Sequence, residues 1–154
     1  MYHSNLKING RFCSKNLIFG EFIKIIETPE GFLTNGKIQN INVFFPNSNF
    51  TGDFDLLFFS DYIENLKMCS PFSPDNEIMK KCFTRASICS GDNSGSDYIS
   101  VAGGTMATLY NLNIPFLLNK LGCLLIYQSD FSANFSEKEV SIYFGIEKTG
   151  LTKI

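Results

Sequence analysis

Hydrophobic residues along this chain recur mostly with the two-residue period of half-buried β-strands. The clearest case is residues 140–147, in which Val140, Ile142, Phe144 and Ile146 alternate with Ser, Tyr and Gly. Successive side chains of a strand point to opposite faces, so this spacing predicts a strand with one buried face. Residues 37–45 show the same period and predict a strand that Pro46 ends.

Residues 54–60 depart from this alternation, because the segment is almost wholly apolar apart from Asp55. Leu56 and Phe58 share one face of such a strand, and Leu57 and Phe59 share the other. The pattern predicts either a central strand that is covered on both faces or a strand whose second face docks on another protein.

Further strands are predicted wherever β-branched and aromatic residues cluster between turn signals. They cover residues 17–26, 83–89, 98–102, 108–118 and 123–129. The predicted turns and loops are 28–36, 47–53, 90–97, 103–104, 120–122 and 130–139. Residues 1–15 predict an extended arm or a first strand.

One helix is predicted over residues 73–82. Ser73 is a plausible N-cap, Pro74 suits the first helical position, and Asp75 offsets the positive end of the helix dipole. An apolar stripe would pack this short helix on a sheet, and it comprises Ile78, Met79 and Cys82. The whole pattern predicts an all-β protein, an antiparallel β-sandwich of jelly-roll type with one short helix. Residues 1–16 would form the arm or first strand, and residues 17–154 the sandwich domain.

The net charge of −2 argues against nucleic-acid binding, which needs a basic surface over the phosphates. The N-terminal residues lack the apolar core of a signal peptide, and no apolar run is long enough for a membrane helix. Sixteen Phe and no Trp are unusual, and so many rings must face a core or a partner. We therefore expect no nucleic-acid partner and no membrane association.

Cysteine usage favours free thiols that act as small hydrophobic residues. The five cysteines are an odd number without a C-x-x-C pair, and His3 is the one histidine that could join them as a zinc ligand. They are Cys13, Cys69, Cys82, Cys89 and Cys123. We predict no metal ion and no cofactor.

Catalytic chemistry has little support in the sequence. A hydrolytic triad is disfavoured because His3 is the single histidine and no G-x-S-x-G occurs. Asp53 and Asp55 could form the carboxylate pair of a glycosidase. Their position at the solvent-exposed start of a strand explains them more simply. Asp92 and Asp97 bracket a Gly/Ser loop without the residue order of a calcium loop. The sequence thus predicts no catalytic residues and no enzyme.

Four ordered segments resemble small virion proteins of tailed bacteriophages. Such proteins carry a strand like LDLVFF, a short helix like DNAAL…DAD, and a closing LYxxLV…LxLxLGI. The counterparts here are residues 54–59 (FDLLFF), 73–80 (SPDNEIMK), 121–126 (LGCLLI) and 140–146 (VSIYFGI). The resemblance covers about residues 36–147. The helix here lacks the paired acids at its end, and residues 1–35 have no counterpart.

The resemblance implies an auxiliary or decoration protein on the outside of a phage capsid, without enzymatic activity. The resemblance implies the major capsid protein and other head proteins as partners, and homo-oligomers on the capsid lattice. The chain would be made in the host cytoplasm, and its Asn- and Lys-rich composition would suit a crAss-like phage.

Two rival functions remain open. A carbohydrate-binding β-sandwich for host attachment would need exposed rings, for which Tyr98, Tyr110, Tyr127 and Tyr143 are candidates. The absence of Trp counts against it. A small glycan hydrolase would use Asp53 and Asp55.

Overall fold

The computed structural model describes residues 2–8, 22–46, 54–64, 76–88, 96–127 and 138–154. Within these residues the chain forms ten strands and one short helix. They are β1 (Tyr2–Ile8), β2 (Ile23–Glu27), β3 (Phe32–Pro46), β4 (Phe54–Phe59), α1 (Asn76–Met79), β5 (Cys82–Ile88), β6 (Ser96–Val101), β7 (Gly104–Leu109), β8 (Ile114–Leu118), β9 (Lys120–Tyr127) and β10 (Lys138–Lys153).

All strand pairs are antiparallel, and they build two sheets. The larger sheet has the order β1-β10-β3-β7-β6, and β8 pairs with β3 along the same edge that β7 uses further on. The smaller sheet has the order β2-β9-β4-β5. The predicted all-β sandwich is therefore confirmed, whereas jelly-roll connectivity stays a prediction.

The main core lies between the two sheets. Ile41, Val43 and Phe45 are buried on β3, as their spacing predicts. Phe58 faces them from the smaller sheet, and its ring meets the ring of Phe144 edge-on at 6.1 Å between centroids. Aromatic pairs favour this geometry because the positive ring edge meets the negative ring face.

A second apolar cluster covers the other face of the smaller sheet. Its buried members are Leu57, Phe59, Leu124 and Ile126. Phe22, Ile63, and Ile78 of α1 pack against them from outside the sheet. The smaller sheet is thus covered on both faces at β4, which explains why residues 54–60 read as a nearly continuous apolar run.

The helix is shorter than predicted. It ends at Met79, and Cys82 begins β5 instead of completing an apolar helical stripe. The Lys81 N–H donates to the Ile78 carbonyl, and the Lys81 carbonyl accepts the Ser60 N–H. These bonds turn the chain directly into the strand beside β4. Residues Ser73, Pro74 and Asp75, the predicted cap, lie outside the described residues.

The predicted strand over residues 108–118 is wrong, because two strands, β7 and β8, occupy it. Asn111 lies between them with a φ of +57°, a left-handed conformation that breaks a strand and that Asn tolerates. The Leu112 N–H donates to the Gln39 carbonyl, so the break is itself tied to β3. Pro115 falls on β8, whose other edge is unpaired within the described part of the chain.

Two predicted turns also lie within strands. The strand β3 starts at Phe32 and runs through Gly36, where an added Cβ would collide with the Phe116 ring and the Glu147 carbonyl. The strand β9 likewise runs through Gly122, where an added Cβ would collide with the Phe22 ring. At both positions the absence of a side chain lets an aromatic ring pack against the strand backbone, and neither glycine forms a turn. The turn at Glu30–Gly31 is present, with Gly31 at φ +85°.

Several predicted boundaries move by a few residues. Of the strand predicted over residues 17–26, the described part is β2, and β1 pairs with β10 in the larger sheet. The strand β6 begins at Ser96, inside a predicted loop, and β10 continues past Glu147 to Lys153. Ile142 and Phe144 are buried as predicted, and Ile146 packs against the core.

Candidate functional site

One groove of about 610 Å³ opens at the side of the sandwich, between an edge strand of the smaller sheet and the far half of β10. This volume is within the range of ligand-binding clefts. The described residues that line it are Ile25, Ile26, Glu27, Thr28, Pro29, Thr34, Lys148, Thr149, Gly150 and Leu151.

The lining consists of two unbroken runs of residues, 25–29 and 148–151. Thr28 and Pro29 follow the end of β2, and the second run lies on β10 where its register shifts between Lys148 and Gly150. Thr34 of β3 adds a buried residue to the lining. The groove therefore has walls from both sheets.

The pairing of the two bordering strands is described in part. The strand β2 pairs with β9, and β1 accompanies β10 as far as the Tyr2–Phe144 pair. Beyond Phe144, β10 continues beside β3 to Lys153. The Ile26 carbonyl of β2 accepts a hydrogen bond from the Tyr62 hydroxyl.

Each of these two strands also has a register shift beside the groove. In the pair of β2 with β9 it lies between Lys24 and Ile26, and in the pair of β10 with β3 between Lys148 and Gly150. Such bulges bend a strand locally and recur next to binding sites.

The chemistry of the lining is mainly apolar and uncharged. Ile25, Ile26, Pro29 and Leu151 supply the apolar surface, and the side chain of Leu151 is 58% exposed. The described lining has one acidic residue and one basic residue, Glu27 and Lys148. This composition suits an apolar or neutral ligand.

Hydrogen bonds fix the framework around the groove. The Thr28 N–H and hydroxyl both donate to the Asn119 carbonyl at 2.8 Å. The Thr149 hydroxyl donates to the Asn35 carbonyl at 3.1 Å, and the Ile154 N–H donates to the Gly31 carbonyl at 2.9 Å. Each bond ties a groove-bordering segment to a neighbouring strand or turn, so the groove is largely preformed.

Tyr62 anchors β2 from the outer side. Its hydroxyl donates to the Ile26 carbonyl at 2.9 Å, and the Lys24 and Lys120 ammonium groups lie 4.8 and 5.5 Å from the ring centroid. Burial raises the pKa of the Tyr62 hydroxyl above 10.0, and the negative charges of Glu27 and Asp61 raise it further. Tyr62 therefore keeps its proton and acts as a structural donor.

Asp55, a member of the predicted carboxylate pair, is buried within the smaller sheet at 4% exposure. The Ser87 hydroxyl donates to its Oδ1 at 2.6 Å, and Arg85 Nη1 lies 3.6 Å from its Oδ2. Asp53 lies outside the described residues. The carboxylate of Asp55 is thus bound by its own sheet, which does not fit a glycosidase acid that must reach a substrate.

Of the four candidate rings for sugar binding, the structure describes two. Tyr110 is 43% exposed at the break after β7, and Tyr143 is half-buried on β10. His3, Asp97, Tyr98 and Tyr127 are in strands, but their side chains lie outside the described residues, as does the whole of Asp92.

Two cysteines are described, and both are free thiols. Cys123 is fully buried in the main core, where burial raises the pKa of its thiol well above 9.0. Cys82 is half-buried, and burial raises the pKa of its thiol less strongly. Cys13, Cys69 and Cys89 lie outside the described residues.

Among the described residues, no three His, Cys, Asp or Glu side chains are grouped so that they could hold a metal ion. No helix there has the length and apolar character to cross a membrane.

Sequence reasoning missed the groove. Its residues carry no motif, because the groove forms where two runs of residues that are far apart in the chain come together. Two features of the sequence lie at the groove, namely the apolar Leu151 and the β-branched run before Pro29. Both are typical of any β-strand, so neither indicates a binding site.

Comparisons of the chain with protein-family models, with curated proteins and with solved structures find no match.

Proposed function

We propose that this protein is a structural, non-enzymatic virion component, an auxiliary or decoration protein that binds the major capsid protein on the outside of a phage head. The resemblance of residues 54–59, 73–80, 121–126 and 140–146 to virion proteins suggests the class. The observation that carries the proposal is the groove of about 610 Å³ at the side of the sandwich, whose mainly apolar lining includes the exposed Leu151 and would offer a contact surface to another protein.

The physical logic of such a role is avidity. A decoration protein occurs in many copies on one lattice, so each contact can be weak while the shell as a whole gains stability. A rigid, double-layered sandwich suits this role because binding costs little ordering of the chain. The capsid exterior, the head-protein partners and any lattice oligomer belong to this proposal.

The test adds purified protein to capsids that lack it. We expect the protein to co-sediment with the particles in a fixed ratio to the shell protein and to raise their melting temperature. Capsids that neither retain the protein nor change in melting temperature would contradict the proposal.

The carbohydrate-binding alternative depends on the exposed ring of Tyr110. A glycan array separates the two functions, because a decoration protein needs no glycan ligand. Specific glycan binding that is lost on Tyr110→Ala, together with failure to bind capsids, would favour the alternative.

A further inference from the structure

We infer that Asn35 and Gly36 form a site of spontaneous covalent modification that the folded protein keeps closed. In this reaction the backbone amide of Gly36 attacks the side-chain amide of Asn35, and one of the products lengthens the backbone of β3. The site involves only residues of β3, β8 and β10, and its chemistry is independent of the proposed function.

The sequence supplies the reactive pair. The chain has two Asn-Gly dipeptides, Asn9–Gly10 and Asn35–Gly36, and the first lies outside the described residues. Glycine after asparagine favours the attack, because no side chain shields the glycine nitrogen and its backbone rotates freely. The glycine nitrogen bonds to the asparagine Cγ, and the Cγ–Nδ2 bond breaks to release ammonia. Water then opens the cyclic imide at either carbonyl carbon and leaves aspartate or isoaspartate.

Pairing on both sides holds this dipeptide in an extended conformation. Gly36 lies opposite Phe116 of β8 and opposite Lys148 of β10. The Thr149 hydroxyl of β10 donates to the Asn35 carbonyl at 3.1 Å. Because a carbonyl and the amide that follows it point to opposite sides of a strand, the Gly36 N–H is directed at β8. The attacking nitrogen is therefore turned toward a neighbouring strand and away from the Asn35 side chain.

The space around Gly36 is also closed. Gly36 is buried, and an added Cβ there would lie 2.5 Å from the Glu147 carbonyl oxygen and 2.8 Å from the Phe116 ring. Formation of the cyclic imide needs a backbone rotation at Asn35 and Gly36, which these neighbours oppose. The Asn35 side chain itself is exposed, so the constraint lies in the backbone and not in the access of water. Separation of β3 from its neighbours is thus the step that admits the reaction.

Isoaspartate is the product that changes the fold. Its backbone runs through the former side-chain carbonyl carbon, which inserts one extra carbon atom into the chain between positions 35 and 36. In a strand that is paired on both sides, such an insertion disturbs the register with both partners, here β8 and β10. A chain that reacts while it is open therefore refolds to a less stable structure, and the modification marks it permanently.

The experiment compares the reaction at Asn35 in the folded protein and in the unfolded chain. The full-length protein is incubated at mildly alkaline pH with and without urea, and peptide mapping by mass spectrometry follows Asn35 separately from Asn9. We expect conversion to be at least about a hundredfold slower in the folded protein, because only the rare open molecules react. Similar rates in the two states would show that strand pairing does not close the site. An unreactive Asn35 in urea would show that the site does not exist.

Two variants of β8 test the lock from one side. Phe116→Ala removes the ring that lies against Gly36, and we expect Asn35 in the folded protein to react at least about tenfold faster. Urea denaturation gives the globally unfolded fraction, and the increase should exceed it. Leu117→Ala truncates the neighbouring side chain, which is 48% exposed, and should leave the rate close to that of the parent. Equal rates in the two variants would contradict a lock formed by Phe116.

A last measurement separates the added charge from the longer backbone. Asn35→Asp introduces the charge at an exposed position without lengthening the chain, and its urea midpoint should stay close to that of the parent. Protein that has reacted in urea contains both products, which chromatography separates, and the isoaspartate form should refold with a clearly lower midpoint. If the isoaspartate form and Asn35→Asp have the same midpoint, the longer backbone does not disturb β3 and the modification leaves no mark on the fold.

Discussion

The ring of Phe22 lies directly against Gly122, in the space that a Cβ at position 122 would occupy. The same ring packs on Phe59 at 5.7 Å between centroids and meets Tyr62 edge-on at 6.4 Å. Because Gly122 has no side chain, there is space above β9 for the Phe22 ring, and this ring covers the outer face of the smaller sheet. The contact also links the second apolar cluster to Tyr62, which anchors β2 beside the groove.

Gly122→Ala should therefore destabilise the protein, because the added methyl group displaces the Phe22 ring from its position against β9. We expect a loss of about 1–3 kcal/mol, the usual cost of overpacking. Chemical denaturation monitored by circular dichroism measures it. In a Phe22→Ala background the same change should cost much less. Equal costs in the two backgrounds would show that the ring is not the cause.

The strands with a regular apolar period were predictable, because burial of one face imposes that period. Ile41, Val43 and Phe45 on β3, and Ile142 and Phe144 on β10, are buried where alternation places them. Local pattern decides which residues face the core. The local pattern does not determine which strands are neighbours in a sheet. The strand order is therefore known only from the structure.

The mispredicted turns and the mispredicted strand have one physical origin. The same residue type serves more than one structural role, and the local sequence does not tell these roles apart. Gly36 and Gly122 read as turn residues, yet each is required where a ring packs on a strand. Asn111 reads as part of a regular alternation, yet its left-handed φ ends the strand. The groove was beyond sequence reasoning for a related reason. It forms where residues 25–29 and residues 148–151 come together, which is a long-range relationship that a local pattern does not contain.

The second cluster should contribute to stability as much as the main core does. Phe58 and Phe59 are both fully buried, on opposite faces of β4. We expect Phe58→Ala and Phe59→Ala each to cost about 3–5 kcal/mol, as is usual for a buried ring. Phe83→Ala, at a ring that is 37% exposed, should cost clearly less. A small effect of Phe59→Ala, close to that of Phe83→Ala, would show that the outer face is weakly covered and available for docking.

Asp55 should act as a structural carboxylate. Ser87→Ala removes the hydroxyl that donates to it at 2.6 Å, and an unsatisfied buried acceptor costs about 1–3 kcal/mol. Arg85→Ala removes an ion pair in which the arginine side chain is 62% exposed and Asp55 is buried, and because solvent screens the exposed partner we expect a smaller cost than that of Ser87→Ala. Urea denaturation of the two variants measures the difference. A larger effect of Arg85→Ala, or polysaccharide hydrolysis that Asp55→Asn abolishes, would contradict this role.

Stability should fall as the pH rises above about 9, in part because of Cys123. Burial holds the pKa of its thiol well above the ordinary value of 9.0, so the folded protein keeps a proton that the unfolded chain releases. Below pH 9 both states hold the proton and the group has no effect. Above it the unfolded state binds fewer protons, and the free energy of unfolding then declines by about 1.4 kcal/mol per pH unit for this one group until the folded-state pKa is reached.

Cys123→Ala isolates this contribution from the lysines and tyrosines that also titrate at alkaline pH. The variant should be less stable than the parent at pH 7, because it leaves a small cavity in the core, but its stability should decline less steeply between pH 9 and pH 10.5. Cys82→Ala is the matched control, since Cys82 is only half-buried and its pKa is raised less strongly. Urea denaturation of the three proteins across this pH range gives the slopes. If Cys123→Ala retains the slope of the parent, the thiol at position 123 ionises as readily in the folded state as in the unfolded chain, and its burial does not cause the alkaline loss of stability.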